Sequence, residues 1–357
     1  MPDALTTTPQ LSCYTTNLVH YLAAEDPAVP HRFAEVTRLA VRTDLPAGEL
    51  AFSHHARIDL TPDGGGLAYR GAADWSAARE LLRAELAASG SVLAAASTER
   101  LSWAPGYGRA AAPHWILVRG ERDGSWEVAD HFAALTPHGE QEPFLGRLDD
   151  AELALALAPL AEPGPEMLRR DAMALGSATA VPAGRQYRWL VRTRDASASA
   201  RDPHPGAADD GRWLLEPAAA LSHVLAALLA DPAAIARHAD DLWAAARHYA
   251  YRNEVLVADG LLDPERAAAE TEAWQEVPRV LRIAAMSAAR GRPRPGLVAE
   301  AFTELIAAVE KSAVEKSAVE KSAVEKSAVE KSAVEKSAVE TSAVERSAAA
   351  TPVRGRP

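Results

Sequence analysis

The dipeptide Asp123-Gly124 constrains this 357-residue chain more than any other feature. It separates His114-Trp-Ile-Leu-Val-Arg119 from Ser125-Trp-Glu-Val-Ala129, which ends at Asp130. A two-residue type I′ turn needs positive φ at both central positions, and Asp-Gly accepts that. The stretch therefore predicts an antiparallel hairpin. In such a pair the start of one strand lies beside the end of the next, which brings His114 close to Asp130. A histidine next to a carboxylate is two-thirds of a nucleophile–base–orienter set.

The missing nucleophile is the only cysteine in the chain, Cys13, within Leu11-Ser-Cys-Tyr-Thr-Thr-Asn-Leu-Val-His-Tyr-Leu22. Tyr14, Leu18, Tyr21 and Leu22 recur at helical spacing, while Cys13, Asn17 and His20 fall on a neighbouring, more polar face. Pro9 and Ser12 are start signals just upstream. Cys13 then sits in the first helical turn, where free N–H groups and the dipole favour a thiolate. The plainer reading of a lone cysteine is a small buried hydrophobe.

Composition narrows the rest. A single cysteine excludes an internal disulfide and a cysteine-based zinc site. With an N-terminus that has no signal-peptide pattern, it suits a reducing cytoplasm. No run is long enough for a membrane span. A net charge of −11 argues against a nucleic-acid protein. The adjacent His54 and His55, on a strand, point to opposite faces, and His223, His238 and His248 lack ligand spacing. No metal and no cofactor are expected.

Taken in order, the sequence predicts a second short helix over 33–42 and a strand over 50–60 that returns as a hairpin through 67–70. A helix follows over 75–88, capped by Asp74 and stopped by Gly90, then a buried strand over 91–96. An aromatic loop carries Trp103 and Tyr107. Beyond the Asp-Gly hairpin come a helix from 148, a strand over 187–191 and a polar loop over 194–211. Helices are predicted at 217–230, 232–258, 263–289 and 296–309, with prolines near their starts. The chain closes on a Glu-Lys-Ser-Ala-Val pentad that holds all six lysines, Lys311 to Lys336. Each pentad rotates its valine by roughly 140° around a helix, so no continuous apolar stripe forms. A partly helical, solvated extension without chemistry is expected.

Cysteine on a helix start, histidine at a strand start and aspartate after the next strand is a papain-like order. The stretch from Ser91 to Leu157 adds the apolar strand 91–96, Trp103 and Tyr107, His114-Trp-Ile-Leu-Val, Gly120, Trp126-Glu-Val-Ala-Asp130 and Leu148-Asp-Asp-Ala-Glu-Leu153. With Cys13 it resembles the N-terminal domain of the butirosin biosynthesis protein H family, related in fold to papain-like and bacteriocin-processing cysteine peptidases. The likeness covers roughly residues 10–160. Two positions depart from it: Asp130 is followed by His131 where the family usually has proline, and Gln10 stands three residues before the cysteine where papain-like enzymes often place an oxyanion glutamine about six before.

The resemblance implies a papain-like α+β domain with an N-terminal cysteine helix and antiparallel sheet over 1–160; beyond it the helical pattern predicts a mainly helical accessory domain over 161–309, and the pentads a low-complexity tail over 310–357. The resemblance also implies a cysteine-dependent acyltransferase or amide synthase of specialised metabolism. The cysteine would take an acyl group from an acyl or peptidyl carrier protein and pass it to a small-molecule amine. Cys13, His114 and Asp130 would be its catalytic set, with Asn17 or Gln10 as oxyanion candidates and Trp103, Tyr107 and His20 as pocket candidates. Arg169-Arg170 and Arg290 to Arg294 are candidate docking cations for an acidic carrier. The alternatives are a cysteine peptidase or amidase using water as acceptor, and a non-catalytic scaffold member of the family.

Overall fold

A computed structural model describes residues 11–61, 64–158, 164–176, 180–194 and 212–311. Gln10 and the repeat tail beyond Lys311 lie outside them, as does most of the polar loop over 194–211. The chain divides into two compact units, Met1–Ile306 and Ala307–Pro357. The first is a mixed α+β unit that opens on a cysteine-bearing helix.

Its elements begin with α1 (Cys13–Ala23), α2 (Val29–Val36), β1 (Thr37–Arg42), β2 (Phe52–His55), β3 (Gly66–Ala72), α3 (Trp75–Ser89) and β4 (Val92–Ser97). The central hairpin is β5 (Pro113–Arg122) and β6 (Ser125–Asp130), followed by β7 (Ala134–Thr136), β8 (Gly139–Gln141), β9 (Phe144–Asp149) and α4 (Asp150–Ala156). Then come α5 (Pro165–Leu175), β10 (Tyr187–Thr193), β11 (Trp213–Leu214), α6 (Pro217–Ala230), α7 (Pro232–Ala258) and α8 (Pro264–Ala289). A further helix begins at 295.

Six strands form one antiparallel sheet in the order β3-β10-β4-β5-β6-β9. Side chains alternate across it with period two. Leu93, Ala95, Trp115, Leu117, Ala129 and Leu190 join Tyr14, Leu18 and Leu22 of α1 in one core. Ala94, Ile116, Val118, Trp126, Val128 and Trp189 face the other way, onto Ala78 and Leu82 of α3 and Leu153 of α4. The first core also takes Met167 and Leu175 from α5 and Tyr251 from α7. The boundary expected near 160 therefore does not separate two cores, because helices beyond it finish the burial of α1.

Two local expectations are corrected. The helix expected over 33–42 ends at Val36, and Thr37–Arg42 is a strand. Thr37 Oγ1 donates to Phe33 O at 2.8 Å, and β1 then lies between β11 and β2. The hairpin expected between the strand of 50–60 and 67–70 does not form either: β2 pairs with β1, and β3 pairs along its whole length with β10. A partner this distant in sequence leaves no turn signal.

The α6 and α7 bounds match the prediction because both starts are chemically explicit. Each has proline in the first turn, where no N–H is missed. Glu216 accepts from Ala218 N and Ala219 N, and Asp231 accepts from Ala233 N. On α7, His248 packs beside His54 and His55 of β2, with ring centroids 5.4 and 5.9 Å away. All three rings are fully buried, and neither nitrogen of His54 or His248 has a hydrogen-bond partner. No described helix is long and apolar enough to cross a membrane.

Candidate active site

The turn at Asp123 (φ 54°) and Gly124 (φ 73°) closes the β5–β6 hairpin as the sequence requires. Leu117 lies opposite Ala129, so the register brings the end of β6 at Asp130 alongside the start of β5 at His114. His114 Nε2 lies 2.8 Å from Asp130 Oδ2, with both residues buried. The nucleophile candidate reaches them from α1. Ser12 is the extended N-cap, and the first backbone bond of the helix runs from Thr16 N to Ser12 O at 2.8 Å. Cys13 is thus the first helical residue, and the N–H groups of Cys13, Tyr14 and Thr15 have no intrahelical acceptor. Tyr14 stacks on Trp115 with centroids 4.1 Å apart, which sets Cys13 beside His114.

Electrostatics favour a charge-separated pair. Burial opposes ionisation of the Cys13 thiol, but a hydrogen bond and charge from His114, aided by Arg170, bring it below its ordinary range. Burial likewise opposes charge on His114, but Asp130 and then Cys13 outweigh it and push the imidazole up to about 10. Because Nε2 is held by Asp130, Nδ1 is the nitrogen left for sulfur. Thiolate against imidazolium is the form such a site needs to attack a carbonyl.

Asp130 is held more completely than a sequence can suggest. Oδ2 also accepts from Trp103 Nε1 at 3.0 Å, and Oδ1 accepts from Asn17 Nδ2 at 2.9 Å and Phe132 N at 3.1 Å. These bonds, with the charge of His114, overcome the cost of burial and keep the carboxyl ionised. Two expectations change as a result. Asn17, expected to offer its amide to an oxyanion, is fully buried and donates to Asp130, to Trp115 O at 2.7 Å and to Cys13 O at 3.3 Å; its Oδ1 accepts from His131 N at 2.9 Å. Trp103, expected to wall a pocket, donates to Asp130 and stacks flat on Phe144 at 4.0 Å. Neither Tyr107, which is exposed, nor His20, which stacks on His131 at 3.7 Å, joins the cavity lining. The other oxyanion candidate, Gln10, lies outside the described residues.

The pair opens on a cavity of about 710 Å³. Its walls include Ala104, Ala111, Phe132, Met173, Trp243 and Met286, so they are largely apolar and come from both sides of residue 160. Among the described residues, no group of three His, Cys, Asp or Glu is placed to hold a metal ion. Two arginines belong here: Arg247, which the sequence did not single out, and Arg170, which it offered only as a docking cation. Arg247 of α7 donates to Leu11 O at 2.9 Å and to Ala133 O at 2.7 Å, tying the residues before Cys13 to those after Asp130. Arg170 of α5 reaches Cys13 itself, with Nη1 3.7 Å from Sγ. The arginine-rich sequence around them offered no signal for either contact.

A scan against protein-family models and a search of curated proteins both gave no match to this chain.

Proposed function

We propose that this chain is a papain-like cysteine acyltransferase that moves an acyl group from a carrier-protein thioester to a small-molecule amine, forming an amide. The observation that carries the reading is the arrangement of Cys13, His114 and Asp130, with the sulfur at a helix start and the pair facing a largely apolar cavity.

The chemistry follows from these positions. Cys13 thiolate attacks the thioester carbonyl, and the electron pair of the C=O bond moves onto oxygen. Collapse restores the carbonyl and breaks the bond to the donor sulfur, which leaves with the proton of His114. The now neutral imidazole takes a proton from the amine as the amine attacks the acyl-enzyme. A second collapse releases the amide, and Cys13 and His114 return to thiolate and imidazolium. Asp130 transfers no proton; it fixes the ring and balances its charge. The apolar walls favour an acyl chain and exclude water, which would otherwise compete as acceptor.

Intact-mass measurement tests this reading. Incubation with hexanoyl-N-acetylcysteamine should add one hexanoyl mass to the wild type and none to Cys13→Ala, and added primary amines should discharge it as amide. Discharge to free acid, indifferent to amine, would make the chain a hydrolase. Absence of any adduct would sink the acyl-enzyme reading.

A further inference from the structure

Cys13 Sγ has a second cationic neighbour besides His114. Arg170 donates from Nη1 to the sulfur at 3.7 Å, and its Nη2 lies 3.5 Å from Asp240 Oδ2 on α7. The helix that carries it is seated by the next residue. Asp171 is buried, and its Oδ1 accepts from Tyr69 OH at 2.9 Å, which in turn accepts from Trp115 Nε1 at 3.0 Å. Trp115 follows His114 on β5 and stacks on Tyr14, the neighbour of Cys13. One run of contacts therefore sets the base, the nucleophile and Arg170 against each other.

Acyl transfer through a cysteine needs donors aimed at the oxygen that becomes negative in the tetrahedral adduct. The side chain expected to supply one, Asn17, is turned toward Asp130. Given the acyl-enzyme reading above, on which this rests, we infer that Arg170 is a catalytic residue whose Nη1–H hydrogen-bonds that oxygen, with the Cys13 backbone N–H as the second donor. The oxygen sits on the carbon bonded to Sγ, only two bonds from the sulfur. A donor already touching the sulfur is within a small side-chain adjustment of the roughly 3 Å that oxyanion stabilisation requires. Arg170 gives up no proton, since a guanidinium stays charged throughout. Its bond passes from the thiolate in the resting site to the oxyanion as the S–C bond forms and negative charge moves from sulfur to oxygen. The electron pair returns to the carbonyl when the donor sulfur leaves.

Two reagents separate this role from simple support of the thiolate. Iodoacetamide alkylates Cys13 by displacement at a saturated carbon and forms no oxyanion, whereas hexanoyl-N-acetylcysteamine must form one. In Arg170→Gln, acylation on the thiolate plateau should fall about 10²–10³-fold, the usual loss for one oxyanion donor, while plateau alkylation stays close to wild type. If Arg170→Gln does not fold, Arg170→Lys is put through the same comparison, with a smaller fall expected in acylation alone. A parallel fall in both reactions, or unchanged acylation, overturns the inference. Failure of the wild type to acylate while it alkylates rapidly overturns the acyl-enzyme reading itself, and the role of Arg170 with it.

Discussion

Asn17 Nδ2 lies 2.9 Å from Asp130 Oδ1, so the helix that carries Cys13 also grips the carboxylate paired with His114. The two residues are 113 positions apart, yet they form one rigid unit with Cys13 four residues away on α1. Asn17→Ala leaves Asp130 Oδ1, Trp115 O and the His131 N–H short of a buried partner. Each such loss costs about 1–3 kcal/mol. The variant should unfold at distinctly lower urea concentration and alkylate Cys13 more slowly at pH 7. Unchanged stability would mean that water takes over the amide's bonds.

Trp103 touches the same carboxylate from the aromatic loop. Trp103→Phe keeps the stack on Phe144 but removes the N–H that reaches Asp130 Oδ2. A loss of about 1.5–3 kcal/mol in stability is expected, since the lost bond goes to a charged acceptor, with a modest rise in the pH at which Cys13 becomes reactive. Urea melts and iodoacetamide rate profiles check both. A loss as large as that for a buried tryptophan removed entirely would mean that stacking geometry matters more than the hydrogen bond.

Reactivity of Cys13 should extend below about 8.5, the ordinary thiol value, because the hydrogen bond and charge of His114 outweigh burial and lower the thiol. His114→Ala should move the alkylation midpoint upward. Stability is a poorer readout of this pair. His114 keeps its proton in the fold from 6.5 up to about 10, which lowers stability as pH rises through that window. Cys13 loses its proton in the fold before it does so unfolded, which raises stability over much of the same range. The two slopes oppose each other, while the alkylation profile sees the sulfur alone.

The buried histidines make an opposite, acid-side prediction. Burial lowers His54 and His55 from 6.5 to about 4, and pushes His248 well below its ordinary value. Below 6.5 the unfolded chain binds protons that the folded chain refuses, so stability falls as pH drops toward 4. Each group lowered from 6.5 to about 4 contributes roughly 3 kcal/mol to that fall. Urea midpoints should drop steeply between pH 7 and pH 5, and His248→Phe should flatten the drop. An equally steep drop in that variant would assign the acid sensitivity elsewhere.

What the sequence made legible was local. The Asp-Gly turn determined which residues of the hairpin meet, so His114 and Asp130 could be paired from the chain alone. Proline with a neighbouring acid marked the starts of α6 and α7. What stayed hidden depended on distant partners. Nothing near Thr37 announces that it will lie beside β2, and nothing near Arg70 announces β10. Asn17 was placed on the correct helical face, but an amide on that face can point to substrate or to scaffold, and only the position of Asp130 decides. Arg170 sits among 32 arginines, and its nearness to sulfur follows from how α5 is seated.

The place of β10 in the sheet carries a last consequence. Residues 187–193 lie between β3 and β4, so the two edges they join cannot meet while the ribosome has released only the first 180 residues. Cys13, His114 and Asp130 all precede this segment in the chain, and the six-stranded sheet is complete only with it. The strands of His114 and Asp130 pair with β4 and β9 without it, so a chain cut near residue 180 keeps that pairing and leaves β3 with no neighbour in the sheet.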